Sequence, residues 1–127
     1  MPKVAIIQES PVLLDRGKTI EKAVELIEQA ASSNAELIIF PEAYISGYPA
    51  WIWRLKPGGD WDLNEVLHSR LLGSAVDIDA GDLDPVCDIA RKNKVTIVCG
   101  MNERDSALSK ATLYNTAVII GQDGSIL

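Results

Sequence analysis

Glu42 is the carboxylate best placed for chemistry. It follows directly on Leu37-Ile38-Ile39-Phe40 and Pro41. A short apolar run of that kind reads as a buried strand. Pro41 has no N–H, so it ends the strand's ladder. Glu42 then stands at the strand's carboxyl end, where open α/β sheets bind their ligands. The proline stiffens the approach, and the carboxylate can be aimed from a rigid element as a general base. A solvated loop glutamate is the plainer alternative. Beyond it runs an aromatic loop, residues 43 to 61, interrupted by Gly47, Pro49, Pro57, Gly58 and Gly59. Tyr44, Tyr48, Trp51, Trp53 and Trp61 fall there, five of the seven aromatics. Such a loop either binds a ligand or is anchored to the body by its aromatics.

The other chemistry-bearing residues are sparse. Cys87 and Cys99 cannot staple a scaffold, and with the single His68 they make a poor zinc set. They are expected to be buried free thiols, with His68 exposed. Asp77, Asp79, Asp82 and Asp84 alternate like a calcium loop. The loop glycine and closing glutamate are out of register, so they read as solvated charges. No phosphate-cradling glycine loop and no G-x-S-x-G elbow is present.

The flanking elements are read from periodicity. Val4-Ala5-Ile6-Ile7 is expected to be a buried strand. Ile20, Ala23, Val24, Ile27, Ala30 and Ala31 form one face of an amphipathic helix, stopped by Ser32-Ser33 with Asn34 in a left-handed cap. With Leu37–Phe40 this makes a βαβ crossover. Asp62 is expected to cap a second helix with Glu65 in the capping box, an apolar face of Leu63, Val66, Leu67 and Leu71, and a stop at Gly73. Asp84 caps a third, Pro85 to Lys92. Val95–Cys99 and Tyr114–Ile120 are strands, separated by a polar loop from Asn102 to Lys110. Gln122-Asp123-Gly124 is a hairpin turn signal. Only Ser125-Ile126-Leu127 follow it, so residues 1–127 are expected to be the first part of a longer domain, cut inside a hairpin.

Composition narrows the function. A chain of 127 residues is one α/β unit or part of one. Hydrophobic residues make up 47% and charged residues 24%, which excludes disorder as the main state. No apolar run reaches the roughly 20 residues of a membrane span, so no membrane partner is expected. The net charge is -6 with no basic patch, which argues against nucleic acid. The start, Met1-Pro2-Lys3-Val4, has no secretory pattern, and the expected compartment is cytoplasmic.

Several motifs in order carry a family resemblance. Phe40-Pro41-Glu42 followed by Ser46-Gly47-Tyr48-Pro49 resembles the first catalytic motif of the nitrilase superfamily of carbon–nitrogen hydrolases. Val4-Ala5-Ile6-Ile7-Gln8, Ala35-Glu36-Leu37-Ile38-Ile39, Gly100-Met101-Asn102-Glu103-Arg104-Asp105 and Leu113-Tyr114-Asn115-Thr116-Ala117 extend the likeness over nearly the whole chain. Gly47-Tyr48-Pro49-Ala50-Trp51-Ile52-Trp53 resembles the nitrilase branch more than the amidase branches. The resemblance implies half of a four-layer αββα sandwich, often paired into homo-oligomers. It implies hydrolysis of a small-molecule nitrile to a carboxylic acid plus ammonia, with no metal and no organic cofactor. A cysteine attacks, a glutamate moves protons and a lysine stabilises the developing charge. Glu42 aligns with the glutamate. The lysine and nucleophile have no counterpart, because neither Cys87 nor Cys99 lies in the family's Cys-Trp-Glu context. Tyr48, Trp51 and Trp53 are candidates for the substrate wall, with loop packing or a subunit contact as the alternative.

The chain alone is therefore expected not to turn over. Three rival readings remain at this point. One is a non-catalytic truncated module that binds or assembles through exposed faces, including association with a missing C-terminal half. Another is an amidase-branch fragment. The last is an unrelated doubly wound α/β domain binding a small anion.

Overall fold

A computed structural model describes residues 1–127. Its elements are β1 (Val4–Ile6), α1 (Arg16–Ser32), β2 (Leu37–Ile39), a 3₁₀ turn (Ala50–Trp53), α2 (Trp61–Ser74), α3 (Asp84–Asn93), β3 (Thr96–Arg104) and β4 (Leu113–Ile120). The strands form one sheet in the order β1-β2-β3-β4. The first three are parallel, and β4 is antiparallel to β3.

Local chemistry sets the helices. Asp15 caps α1 by accepting from the Lys18 N–H at 3.0 Å. Thr19 locks the entry by donating to the Val12 and Asp15 carbonyls. Ile20, Ala23 and Ile27 are buried, as their spacing predicts. The helix gives way at Ser33, and Asn34 takes a left-handed φ of 63°. Helix α3 buries Val86, Ile89 and Ala90 and ends on left-handed Lys94. Both helices cover one sheet face, where Ile38, Ile97, Cys99, Met101, Val118 and Ile120 complete the core. Ile38 is fully buried at its centre. Ile38→Ala is expected to cost about 2–5 kcal/mol in denaturant unfolding. A loss below about 1 kcal/mol would contradict this packing.

The other sheet face is open. Val4, Leu37 and Thr96 share it in register, as do Ile6, Ile39 and Val98 with Ile119. Ile6 is 71% exposed. The expectation that β1 is buried is thus corrected for Val4 and Ile6, which face the side that no helix covers, while Ala5 and Ile7 are partly buried against the core. One sheet with helices on a single side is half of a four-layer sandwich.

Other boundaries differ from the sequence reading for physical reasons. Helix α2 starts at Trp61, not after Asp62, with Asp60 at the cap position. The Asp60 carboxylate caps nothing there and accepts from the Lys56 N–H instead. Leu71 is buried, but Leu63 and Val66 are exposed, so the expected apolar face is only partly used. The helix passes Gly73 and stops after Ser74. Helix α3 begins at Asp84, one residue early, with Leu83 as its cap. Strand β3 runs on through Asn102, Glu103 and Arg104, where the sequence predicts a loop. Asp77 and Asp82 are not solvated charges. Asp77 is buried and faces Arg104 at 3.9 Å, while Asp82 pairs with Arg16 at 3.2 Å. At the far end Gly124 takes a φ of 80° in the expected turn, and Ile126 bridges back to Ile120.

Candidate active site

Glu42 lies where strand pairing breaks and resumes. Ile39 is paired with Val98, and the Phe40 N–H still bonds the Val98 carbonyl. Pairing resumes when Ile45 bridges to Met101. Six steps along one strand are matched by three along the other, so the chain is extruded at Glu42. Gly100 lies beneath the extruded segment. A Cβ on Gly100 would lie 2.9 Å from the Glu42 Cα and 2.8 Å from the Ala43 nitrogen, and would collide with the Pro41 carbonyl. Only glycine permits this close approach.

The extruded segment is conformationally costly. Ala43 has φ 48° and Ser46 φ 78°, left-handed values that disfavour side chains. Tertiary bonds hold them. The buried Ser46 hydroxyl donates to the Ser74 carbonyl, and the Leu14 N–H bonds the Ser46 carbonyl at 3.0 Å. Asn102 Nδ2, also buried, donates to the Gly47 carbonyl at 2.9 Å and the Ile45 carbonyl at 3.3 Å. Tyr44 is buried against Phe40 with ring centroids 4.9 Å apart. Burial above all, with Cys99 and Glu9 adding to it, pushes its phenol up to about 12.

The Glu42 side chain is exposed and held by one strong bond. Asn115 Nδ2 donates to Glu42 Oε1 at 2.7 Å. Asn115 stands opposite Asn102 across the β3–β4 ladder, on the same face as Gly100 and Ala117. That is the open face of the sheet. The carboxylate is thus presented beside uncovered apolar surface, with Oε2 outside this bond. Such a group can accept a proton from a reactant placed over the face.

The thiols are elsewhere. Cys99 pairs with Val118 on the helix-covered face and is buried there. Burial pushes it from an ordinary 9.0 up to about 12. Cys87 on α3 is half-buried rather than buried as expected, and its thiol is raised chiefly by burial, then by Asp84 and Asp88. A neutral thiol reagent at pH 7.5 is expected to label Cys87 first and Cys99 only on unfolding. Peptide mass mapping that found Cys99 labelled first would contradict the placement. Because the folded state keeps Cys99 protonated, its contribution to stability is complete below pH 9 and is lost as pH climbs towards 12.

Tyr48 and Trp53 are exposed and Trp51 is half-buried in the 3₁₀ turn. A cavity of about 170 Å³ in this loop is lined by Ile52, Leu55, Lys56, Trp61 and neighbours, without Glu42, Trp51 or Trp53. His68 is exposed on α2. No group of three His, Cys, Asp or Glu side chains converges as metal ligands would. No helix is long and apolar enough to cross a membrane. Asn115, Asn102 and Gly100 went unmarked in the sequence, where only their motif membership is visible and the register that joins them to Glu42 is not.

Comparison with known proteins decides the family. Residues 3–127 match the pattern of the carbon–nitrogen hydrolases. The chain belongs to the carbon–nitrogen hydrolase family. Within it, an arylacetonitrilase from Aspergillus oryzae is 38% identical over 98% of this chain and 34% of its own length. An aliphatic nitrilase from Rhodococcus rhodochrous is 34% identical over 98% of this chain and 32% of its own. The crystal structure of a carbon–nitrogen hydrolase from Helicobacter pylori G27 shares the fold, with a TM-score of 0.61 at 23% identity, over 98% of this chain and 37% of that one. The chain spans about a third of the length of the curated relatives it matches.

Proposed function

We propose that residues 1–127 are the N-terminal part of a nitrilase-like hydrolase that converts a nitrile to a carboxylic acid and ammonia by thiol chemistry. The observation that carries this is the Glu42 carboxylate, extruded at the end of β2 and held by Asn115 on the open sheet face. Glu42 would take the proton of the attacking thiol and later activate water. Cys99 points to the opposite face, which supports a nucleophile lying outside these residues. Tyr48, Trp51 and Trp53 would contribute to the substrate side once the face is covered. The partner is a small nitrile or amide, and a cytoplasmic homo-oligomer or a complex with a C-terminal half is the expected setting. The likeness to an arylacetonitrilase and an aliphatic nitrilase favours a nitrile over an amide.

Two measurements test this. Intact mass, denaturing and native, on the protein as isolated shows which polypeptide carries these residues. Ammonia release is then measured from aryl and aliphatic nitriles and from amides. Release by the longer or reassembled protein, and none by the 127-residue chain, is expected. Turnover by the pure chain would overturn the proposal. The open apolar face favours one second reading, a non-catalytic assembly module. A self-associated chain without any companion polypeptide would support that one.

A further inference from the structure

Two asparagines face each other across the β3–β4 ladder, and both reach the segment that carries Glu42. Asn102 is buried and donates only to backbone, at Ile45 and Gly47, so it fixes the far end of the extruded loop. Asn115 is exposed and donates to the carboxylate itself, at Oε1. Gly100, one pair along on the same face, lets the loop's backbone settle against β3. The three residues act on three parts of one unit: backbone seat, loop end and side-chain head. An exposed glutamate left to itself samples many rotamers, and holding one costs entropy. A charge-assisted bond of 2.7 Å from a strand side chain removes much of that freedom.

We propose that Asn115 is the positioning residue of Glu42, holding Oε1 so that Oε2 is the oxygen offered to the reactant's proton. This rests on the reading of Glu42 as general base. The amide is suited to the task. It donates without carrying a charge, so it holds the carboxylate without pairing it with a cation. An aspartate at 115 would have nearly the same shape, but its carboxylate offers no N–H and adds a like charge.

The test uses the full-length gene product, with steady-state kinetics and rate–pH profiles for Asn115→Ala, Asn115→Asp and Glu42→Gln. Asn115→Ala is expected to lower kcat about 10- to 100-fold, the scale of a misplaced catalytic group, with KM changed less than about 2-fold. Asn115→Asp is expected to fall further at neutral pH and to move the acid limb of its profile to higher pH, because a second carboxylate resists ionisation of the first. A merely structural asparagine would leave the profile in place. An unchanged kcat in Asn115→Ala, or an unmoved profile in Asn115→Asp, overturns the inference while Glu42→Gln remains inactive. Hydrolysis that survives in Glu42→Gln overturns the base reading itself, and the role of Asn115 with it.

Discussion

Replacing Gly100 with alanine is expected to lower the unfolding free energy of this chain by about 3 kcal/mol, the upper part of the usual range for overpacking. The new methyl group would meet backbone on three sides, at Pro41, Glu42 and Ala43. A flexible side chain could yield at little cost, but these atoms belong to a segment already bent through left-handed Ala43. Either β3 or the extruded loop must move. Movement of the loop would pull Glu42 from Asn115, and the proposed hydrolysis by the full-length gene product would fall as well. Gly73 supplies the contrast, because a Cβ there meets nothing within 4 Å and the residue sits inside α2. Gly73→Ala is expected to stabilise by about 0.5–1 kcal/mol. Denaturant midpoints that shift the same way for both substitutions would refute the packing described at Gly100.

Glu42→Gln is expected to abolish nitrile or amide hydrolysis in the full-length gene product, by about 10²- to 10⁴-fold in kcat/KM, while leaving folding intact. Glutamine keeps the length and shape of the side chain, and its carbonyl oxygen can still accept from Asn115. What it lacks is a site to receive a proton. A thiol near pH 7 is mostly unionised, since its free pKa is about 8.5, so attack depends on that transfer. Position is kept and basicity removed. Glu42→Asp separates the two requirements differently. It retains a carboxylate but is one methylene too short for the 2.7 Å bond, and a partial loss is expected. A Gln variant within about fivefold of the unmodified protein would remove Glu42 from the mechanism.

The parts of the fold with strong periodicity were legible. Ile20, Ala23 and Ile27 recur at helical spacing and are buried as one face. The runs at Leu37 and Thr96 form neighbouring parallel strands. What could not be read was which side of the sheet is covered, because apolar identity does not distinguish a buried side chain from one facing an open surface. Val4 and Ile6 show this. Nor could partners distant in sequence be read. Asp77 and Asp82 look like loop charges until Arg104 and Arg16 are brought beside them. Asn102, Glu103 and Arg104 look like loop residues until β4 pairs with them. The expected cap of α2, Asp62, lies inside the first turn instead, because the helix already starts at Trp61. Glu42 was marked by its place after Phe40-Pro41. Its holder was not, because register across a hairpin decides it.

The Glu42–Asn115 bond joins residues 73 positions apart, and the Asn102 bonds to the loop span 55 and 57. During synthesis at roughly 5–20 residues per second, Asn115 is added about 4 to 15 s after Glu42. Gly100 and Asn102 are added shortly before it, so the strained loop gains its seat and its first amide only just ahead of its second. The Glu42–Asn115 geometry therefore cannot form while the first βαβ unit stands alone. It is completed by β4, which ties the placing of Glu42 to closure of the β3–β4 hairpin.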